Sequence, residues 1–204
     1  MFKAINKVIK ILIFSDFFLL SAWGLISPIL AIFIVENIKG GDVRVVGIAV
    51  GIYWLAKSLI QIPIGRYLDI KKGEKDDYYF LIFGTFLASL TPLGYIFSSL
   101  PFHVYILQLI QAFGMAMAIP AWGGVFVRHV DKGKEAFTWG LESSAIGIGA
   151  GIAGIVGGIV AKIFGYVPVF ISVTILGIIS SLLFFLIAKE ILPKEKVFPF
   201  PKIF

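Results

Sequence analysis

The sequence predicts an all-α polytopic membrane protein with six transmembrane helices. Three observations carry this. Apolar runs of about 20 residues or more, long enough to cross a bilayer, recur six times along the 204 residues. The chain is 59% hydrophobic and only 15% charged, with mean hydropathy +0.98; a soluble domain is nearer a quarter charged. The charged residues collect in short segments between the runs, where a membrane protein must put them.

The spans fall at about 11–35, 45–68, 78–98, 102–127, 136–163 and 167–188. Lys3, Lys7 and Lys10 precede the first. That run outlasts the roughly 7–15 apolar residues of a signal peptide, so it reads as a retained span. Glu36 to Arg44 is a turn with Gly40-Gly41 between charged flanks. The segment from Gly65 to Asp77 is the densest polar stretch, with Arg66, Lys71, Lys72 and Lys75 among four carboxylates. Interleaved in this way, those charges read as a solvated loop that sets topology. Pro101 suits a helix start, Arg128 to Glu135 is a charged loop, and Gly165-Tyr166 with Pro168 is a tight turn. One transmembrane domain, 1–188, is therefore expected, followed by a cytoplasmic tail, 189–204.

With six spans both termini share a side with loops two–three and four–five. Those segments hold fourteen of the 18 Lys and Arg residues, against Lys39, Arg44 and Lys162 opposite. The excess marks the cytoplasmic side. The absence of cysteine excludes disulfides and thiol chemistry.

Charges inside hydrocarbon cost about 2.5–3.5 kcal/mol each and normally face protein or water. Asp16 and Glu142 sit about 9–10 Å inside their helices, and Lys57 about 16 Å, near the midplane. Helical spacing gathers polar and aromatic residues around them. Asp16, Trp23 and Ser27 share a face of span one; Trp54, Lys57, Ser58 and Gln61 share one of span two. Gln108, Gln111, Met115, Ala118 and Trp122 step along span four, and Trp139, Glu142 and Ser143 group on span five. Spans three and six offer almost no such stripe, and span six reads as lipid-facing. Isolated glutamines and serines also serve as plain interhelical hydrogen bonds. Lys57 is the residue least easily explained that way. It predicts a cavity with an anionic solute, or an ion pair with Asp16 or Glu142.

Gly147, Gly151, Gly154 and Gly158 recur at helical steps and predict a smooth face for close helix packing. Pro28, Pro63 and Pro120 interrupt spans one, two and four and can kink them.

Several stretches resemble the major facilitator superfamily, specifically one six-helix half of its bundle. Gly65, Arg66, Asp69, Lys71, Lys72 and Gly73 look like its signature loop between helices two and three, with Ile70, Lys71 and Lys72 separating Asp69 from Gly73 where the family usually has two residues. Gly24 and Pro28 match a G-x-x-x-P pattern in helix one. Gln111 to Trp122 is similar to helix four, without its frequent arginine, and Phe164 to Phe170 resembles the turn between helices five and six. The resemblance implies a secondary transporter of the cell membrane. Its solute site would use Lys57, Gln61, Trp23, Trp54, Gln108, Gln111 and Trp122, with Asp16 and Glu142 in coupling. It further implies a latch in which Asp69 meets helix five of a partner, either a second copy in a parallel homodimer or another six-helix chain. No metal, cofactor or nucleic acid is expected. A non-transporting relic or partner subunit is the other reading. A membrane-embedded enzyme has no supporting motif: H-E-x-x-H, G-x-S-x-G and a clustered set of aspartates are all absent.

Overall fold

A computed structural model describes residues 5–71 and 73–192. Lys3, Lys72 and the tail beyond 192 lie outside the described residues. The elements are α1 (Lys7–Asn37), α2 (Val43–Ile70), α3 (Lys75–Ile96), α4 (Pro101–His129), α5 (Glu135–Phe164), α6 (Tyr166–Leu183), a 3₁₀ turn (Phe184–Ile187) and α7 (Ala188–Ile191). The six long helices are each apolar enough to cross a membrane, so the protein is an integral membrane protein.

Local chemistry sets the ends. Asn6 caps α1 by accepting from the Val8 N–H at 2.9 Å, and Asp42 caps α2 by accepting from Val45 at 3.0 Å. A hydrogen bond from the Arg44 guanidinium, 2.8 Å away, and the Val45 N–H hold the Asp42 carboxyl below its ordinary range, so the cap stays charged at neutral pH. Gly165 takes φ +82° between α5 and α6, a backbone state that L side chains rarely adopt. The helices run through Pro28, Pro63, Pro92 and Pro120.

The start of α1 and α7 lie on one face, called the terminal face, where Lys7 Nζ meets Glu190 Oε1 at 2.6 Å. On the opposite face the Tyr166 hydroxyl donates to Glu36 at 2.6 Å, and Lys39 N–H donates to the Ser99 carbonyl at 2.9 Å. Within the bundle α1 packs on α5 and α6, α4 packs on α2 and α3, and the α3–α6 contact joins the two groups. The core is densest at its two ends. Phe33, Tyr95 and Phe170 form edge and tilted ring contacts towards the loop face. Leu12, Tyr78, Leu81, Phe126 and Phe184 fill the terminal end. Between them stands only a small cluster, Leu19, Ala88 and Met115, and there the polar residues collect.

Two expectations change. Span six is not simply lipid-facing: α6 buries Thr174, Gly177, Ser180 and Ser181 against α1 and α3. The Ser15 and Ser180 hydroxyls are 2.7 Å apart, and Ser181 donates to the Ile82 carbonyl at 3.1 Å. Small hydroxyls bond helix to helix here and hardly lower the mean hydropathy, so composition hides them. The least buried spans are α2 and α5, each 17% buried in its most apolar window, against 39–56% for the other four. The loop carboxylates are not all solvated either. Glu74 accepts from Arg128 Nε at 2.7 Å, and Asp77, 2% exposed, lies 2.8 Å from Arg128 Nη2. The ends of α3 and α4 are tied across 54 positions of sequence, a pairing without local periodicity to reveal it.

Candidate functional site

The loosely packed middle of the bundle contains two adjoining cavities. The larger, about 390 Å³, is lined by Trp23, Ser27, Tyr53, Trp54, Gln108 and Gln111 among apolar neighbours. The smaller, about 220 Å³, is lined by Asp16, Thr85 and Trp122 in otherwise apolar walls. Leu20 and Met115 line both. Helices α1, α2 and α4 thus bring together Trp23, Trp54, Gln108 and Gln111, while α1 and α4 bring Asp16 and Trp122 to the adjoining space.

Lys57 is 8% exposed. Its ammonium lies 3.9 Å from the Trp54 ring centroid and 5.6 Å from that of Tyr53. Both rings line the larger cavity, so Lys57 stands at its edge through them. A cation on an aromatic face gains roughly 0.5–2 kcal/mol, less than the roughly 2.5–3.5 kcal/mol that a charge within the hydrocarbon costs. Among the described residues no carboxylate pairs with Lys57. Gln61, one turn on, has a buried side-chain oxygen without a partner.

Gln108 is engaged: its amide donates to the Tyr95 hydroxyl at 2.9 Å, and both residues are buried. Tyr95 was not legible as its partner, since the two lie on different helices. Replacing Gln108 by Leu strands that hydroxyl and is expected to cost about 1–3 kcal/mol, readable as a lower unfolding temperature in detergent. Tyr53 is a second residue that sequence reasoning missed. Its position beside Trp54 was the available signal.

Asp16 is engaged with Glu142, not with Lys57. The two carboxyl groups, one on α1 and one on α5, face each other. Close to them towards the terminal face, Trp122 stacks on Phe126 at 4.6 Å, and Trp139 of α5 packs on both rings. This cluster fills the gap between α4 and α5 on that side. The larger cavity instead reaches Leu30, Ile34 and Val46, towards the opposite face.

The glycines of α5 divide into two faces. Gly149 and Gly157 lie against α1, where an added Cβ would meet Ser21 and Leu25. At the same seam a Cβ on Gly24 would lie 2.8 Å from the Ala150 backbone. Gly154 borders this seam, 3.6 Å from the Gly24 carbonyl by the same measure, whereas Gly147, Gly151 and Gly158 have no neighbour within 4 Å. On the terminal face Gly65 faces Pro120, Arg66 and Asp69 are exposed, Lys71 lies 5.5 Å from the Tyr67 ring centroid, and Gly73 turns the chain at φ +105°.

Two comparisons bear on this arrangement. An uncharacterized MFS-type transporter of Methanocaldococcus jannaschii is 28% identical over 196 residues, covering 95% of this chain and 49% of the relative. The chain thus spans about half the length of the curated relative it matches. Residues 12–201 match the family profile described as Major Facilitator Superfamily. That match takes in all six spanning helices, which fit one half of the family's bundle, and the chain belongs to the Major Facilitator Superfamily.

Proposed function

We propose that this chain is a six-helix unit of a secondary transporter that moves a small anionic solute by alternating access, together with a second six-helix unit. The observation that carries the reading is Lys57, a buried cation held on Trp54 with no carboxylate partner among the described residues, beside a cavity midway along the spanning helices. A solute carboxylate would complete the missing ion pair. Trp23 and Trp54 would wall it, Gln61, Gln108 and Gln111 would supply hydrogen bonds, and Trp122 would bound the terminal end. Asp16 and Glu142 would couple the movement to an ion. The position of the larger cavity towards the loop face, with the aromatic cluster filling the terminal side, supports an arrangement open on the loop face.

The second unit would cover the faces of α2 and α5 that this chain leaves bare. Gly147, Gly151 and Gly158 offer a smooth surface there, with Gly154 at its border. Asp69, with Gly65, Arg66, Lys71, Lys72 and Gly73 around it, would latch onto the start of the partner's α5, where the helix dipole favours a carboxylate. A parallel homodimer would satisfy this geometry, twofold symmetry being the commonest. The Lys and Arg bias supports termini on the cytoplasmic side of the cell membrane.

The test is uptake of radiolabelled monocarboxylates and dicarboxylates by proteoliposomes. Lys57→Ala is expected to reduce uptake at least about tenfold, the equivalent of 1.4 kcal/mol, and Lys57→Arg to retain part of it. Uptake indifferent to Lys57→Ala would sink the reading.

A further inference from the structure

The seam between α1 and α5 changes character along its length. In the half towards the loop face the helices touch through Gly24, Gly149 and Gly157, where an added Cβ would run into the neighbouring helix. At Gly149 that Cβ would meet Ser21 and Phe17. Towards the terminal face the seam opens into a groove of about 230 Å³. It is walled by Ile13, Phe14 and Phe17 of α1 and by Leu141 and Ala145 of α5. Lys10 is the one polar side chain on that wall among the described residues.

The groove lies on the outside of the bundle, away from the two cavities in its middle. Asp16 marks the side of α1 that faces the smaller cavity. Phe14, two residues earlier, is on the opposite side of the helix and is 53% exposed. On α5, Trp139 marks the side packed on α4, and Leu141 and Ala145 fall on the other side. The bare strip of Gly147 and Gly151 is about 120° further around α5 at 3.6 residues per turn. A second six-helix unit seated on that strip therefore faces away from the groove, whose surroundings are lipid.

Lys10 has no acid to meet. Lys7, one turn earlier, is held by Glu190 at 2.6 Å, and Lys134 lies 3.7 Å from Asp131. Among the described residues no carboxylate pairs with Lys10. Its height along the helix matches a lipid headgroup. The 31 residues of α1 extend about 46 Å at 1.5 Å per residue, several ångströms beyond a hydrocarbon core of roughly 30 Å at each end. Lys10 lies about 4–5 Å from the start of the helix, at the level of the phosphates, and Ile13 to Phe17 lie at the level of the first acyl carbons. A lysine lays its stem on apolar surface and keeps its ammonium at the interface. Basic side chains between spanning helices at this depth bind anionic headgroups.

The two halves of the groove select one occupant. A soluble anion would meet the ammonium but leave the apolar wall bare. An apolar helix of another chain would cover the wall but bury the ammonium unpaired, which is costly. A phospholipid with a net negative headgroup satisfies both. We propose that the groove between α1 and α5 binds one anionic phospholipid, with Lys10 on its phosphate and an acyl chain along Ile13, Phe17, Leu141 and Ala145. The site does not depend on the transporter reading.

Native mass spectrometry of the full chain, released into detergent from vesicles of equal phosphatidylglycerol and phosphatidylcholine, reads the lipid retained. The wild type is expected to keep phosphatidylglycerol over phosphatidylcholine by about fivefold or more, the preference that one lysine at a membrane surface confers. Lys10→Gln should lower that ratio by about fivefold, and Lys10→Arg should keep it. Lys132→Ala, which removes an exposed lysine from the loop between α4 and α5, should leave it unchanged. Ala145→Leu fills the groove without altering charge and should also release phosphatidylglycerol. Thermal unfolding in the same detergent checks that each variant is folded; if Ala145→Leu is not, Lys10→Gln against Lys132→Ala decides. No preference in the wild type, equal effects of Lys10→Gln and Lys132→Ala, or full retention in a folded Ala145→Leu overturns the proposal. Displacement of the lipid by glycerol phosphate overturns it too, because the groove would then contribute nothing.

Discussion

Gly114→Val is expected to prevent the bundle from assembling. A Cβ at position 114 would stand 2.7 Å from the Gly84 carbonyl oxygen and 2.8 Å from the Ala88 backbone nitrogen. Position 84 is equally tight, with the Ala118 backbone nitrogen at 2.8 Å. These obstacles are main chain, so no rotamer change relieves them and α3 and α4 would have to move apart. Overpacking usually costs about 1–3 kcal/mol, sometimes more. Here the cost is expected at or above the top of that range, because the α3–α4 contact is the most extensive in the chain. The measurement is the yield of monodisperse protein after detergent extraction, and the variant should aggregate or be degraded. Gly123→Val on the same helix is the control, since a Cβ there meets nothing within 4 Å. Equal behaviour of the two variants would show that the close approach of α3 and α4 is not what holds them.

Arg128→Ala should be the most damaging change on the terminal face. Arg128 contacts Glu74 at 2.7 Å and Asp77 at 2.8 Å. Asp77 is 2% exposed, and its Oδ2 makes a charge contact with Arg128 Nη2 without an aligned hydrogen bond. Removing the arginine leaves a buried carboxylate uncompensated, a situation that costs roughly 3–5 kcal/mol when both partners are buried. Arg128 is itself 40% exposed, so water screens part of the loss and about 2–3 kcal/mol is the better expectation. Arg128→Lys should recover only a fraction, because an ammonium cannot reproduce the fork that spans two carboxylates. The double variant Arg128→Ala/Asp77→Asn should be more stable than Arg128→Ala alone, because it removes the stranded charge. Thermal unfolding in one detergent reads all three. A double variant no more stable than the single one would show that the Asp77 charge is not what makes the arginine necessary.

The grouping of the candidate residues was partly legible. Lys57, Trp23, Trp54, Gln108 and Gln111 stood out because polar and aromatic side chains are rare in spans, and helical spacing groups them. Their gathering around one cavity follows from α1, α2 and α4 meeting there. Which partner each one takes was not legible. Gln108 bonds Tyr95 of α3, Asp16 meets Glu142, and Lys57 rests on its own helix neighbour Trp54. Spacing within a helix reveals a shared face, while a contact also depends on how two helices are rotated against each other.

Six spans, their order, and both termini on one side followed from the sequence alone. Bilayer thickness fixes how long an apolar run must be, and polar loops cannot stay in hydrocarbon. The expected spans agree with the helices to within a few residues, apart from the last, which continues through a 3₁₀ turn to Ile191. Only the tertiary structure decided which faces meet. Helices that are apolar all round carry little contrast between a side facing lipid and a side facing protein. The choice then falls to small residues and paired polar groups in register across helices. That is why Gly149 and Gly157, and not Gly147 and Gly151, bury themselves against α1, why the apolar α6 is packed chiefly on α1 and α3, and why α2 and α5 are the helices left bare.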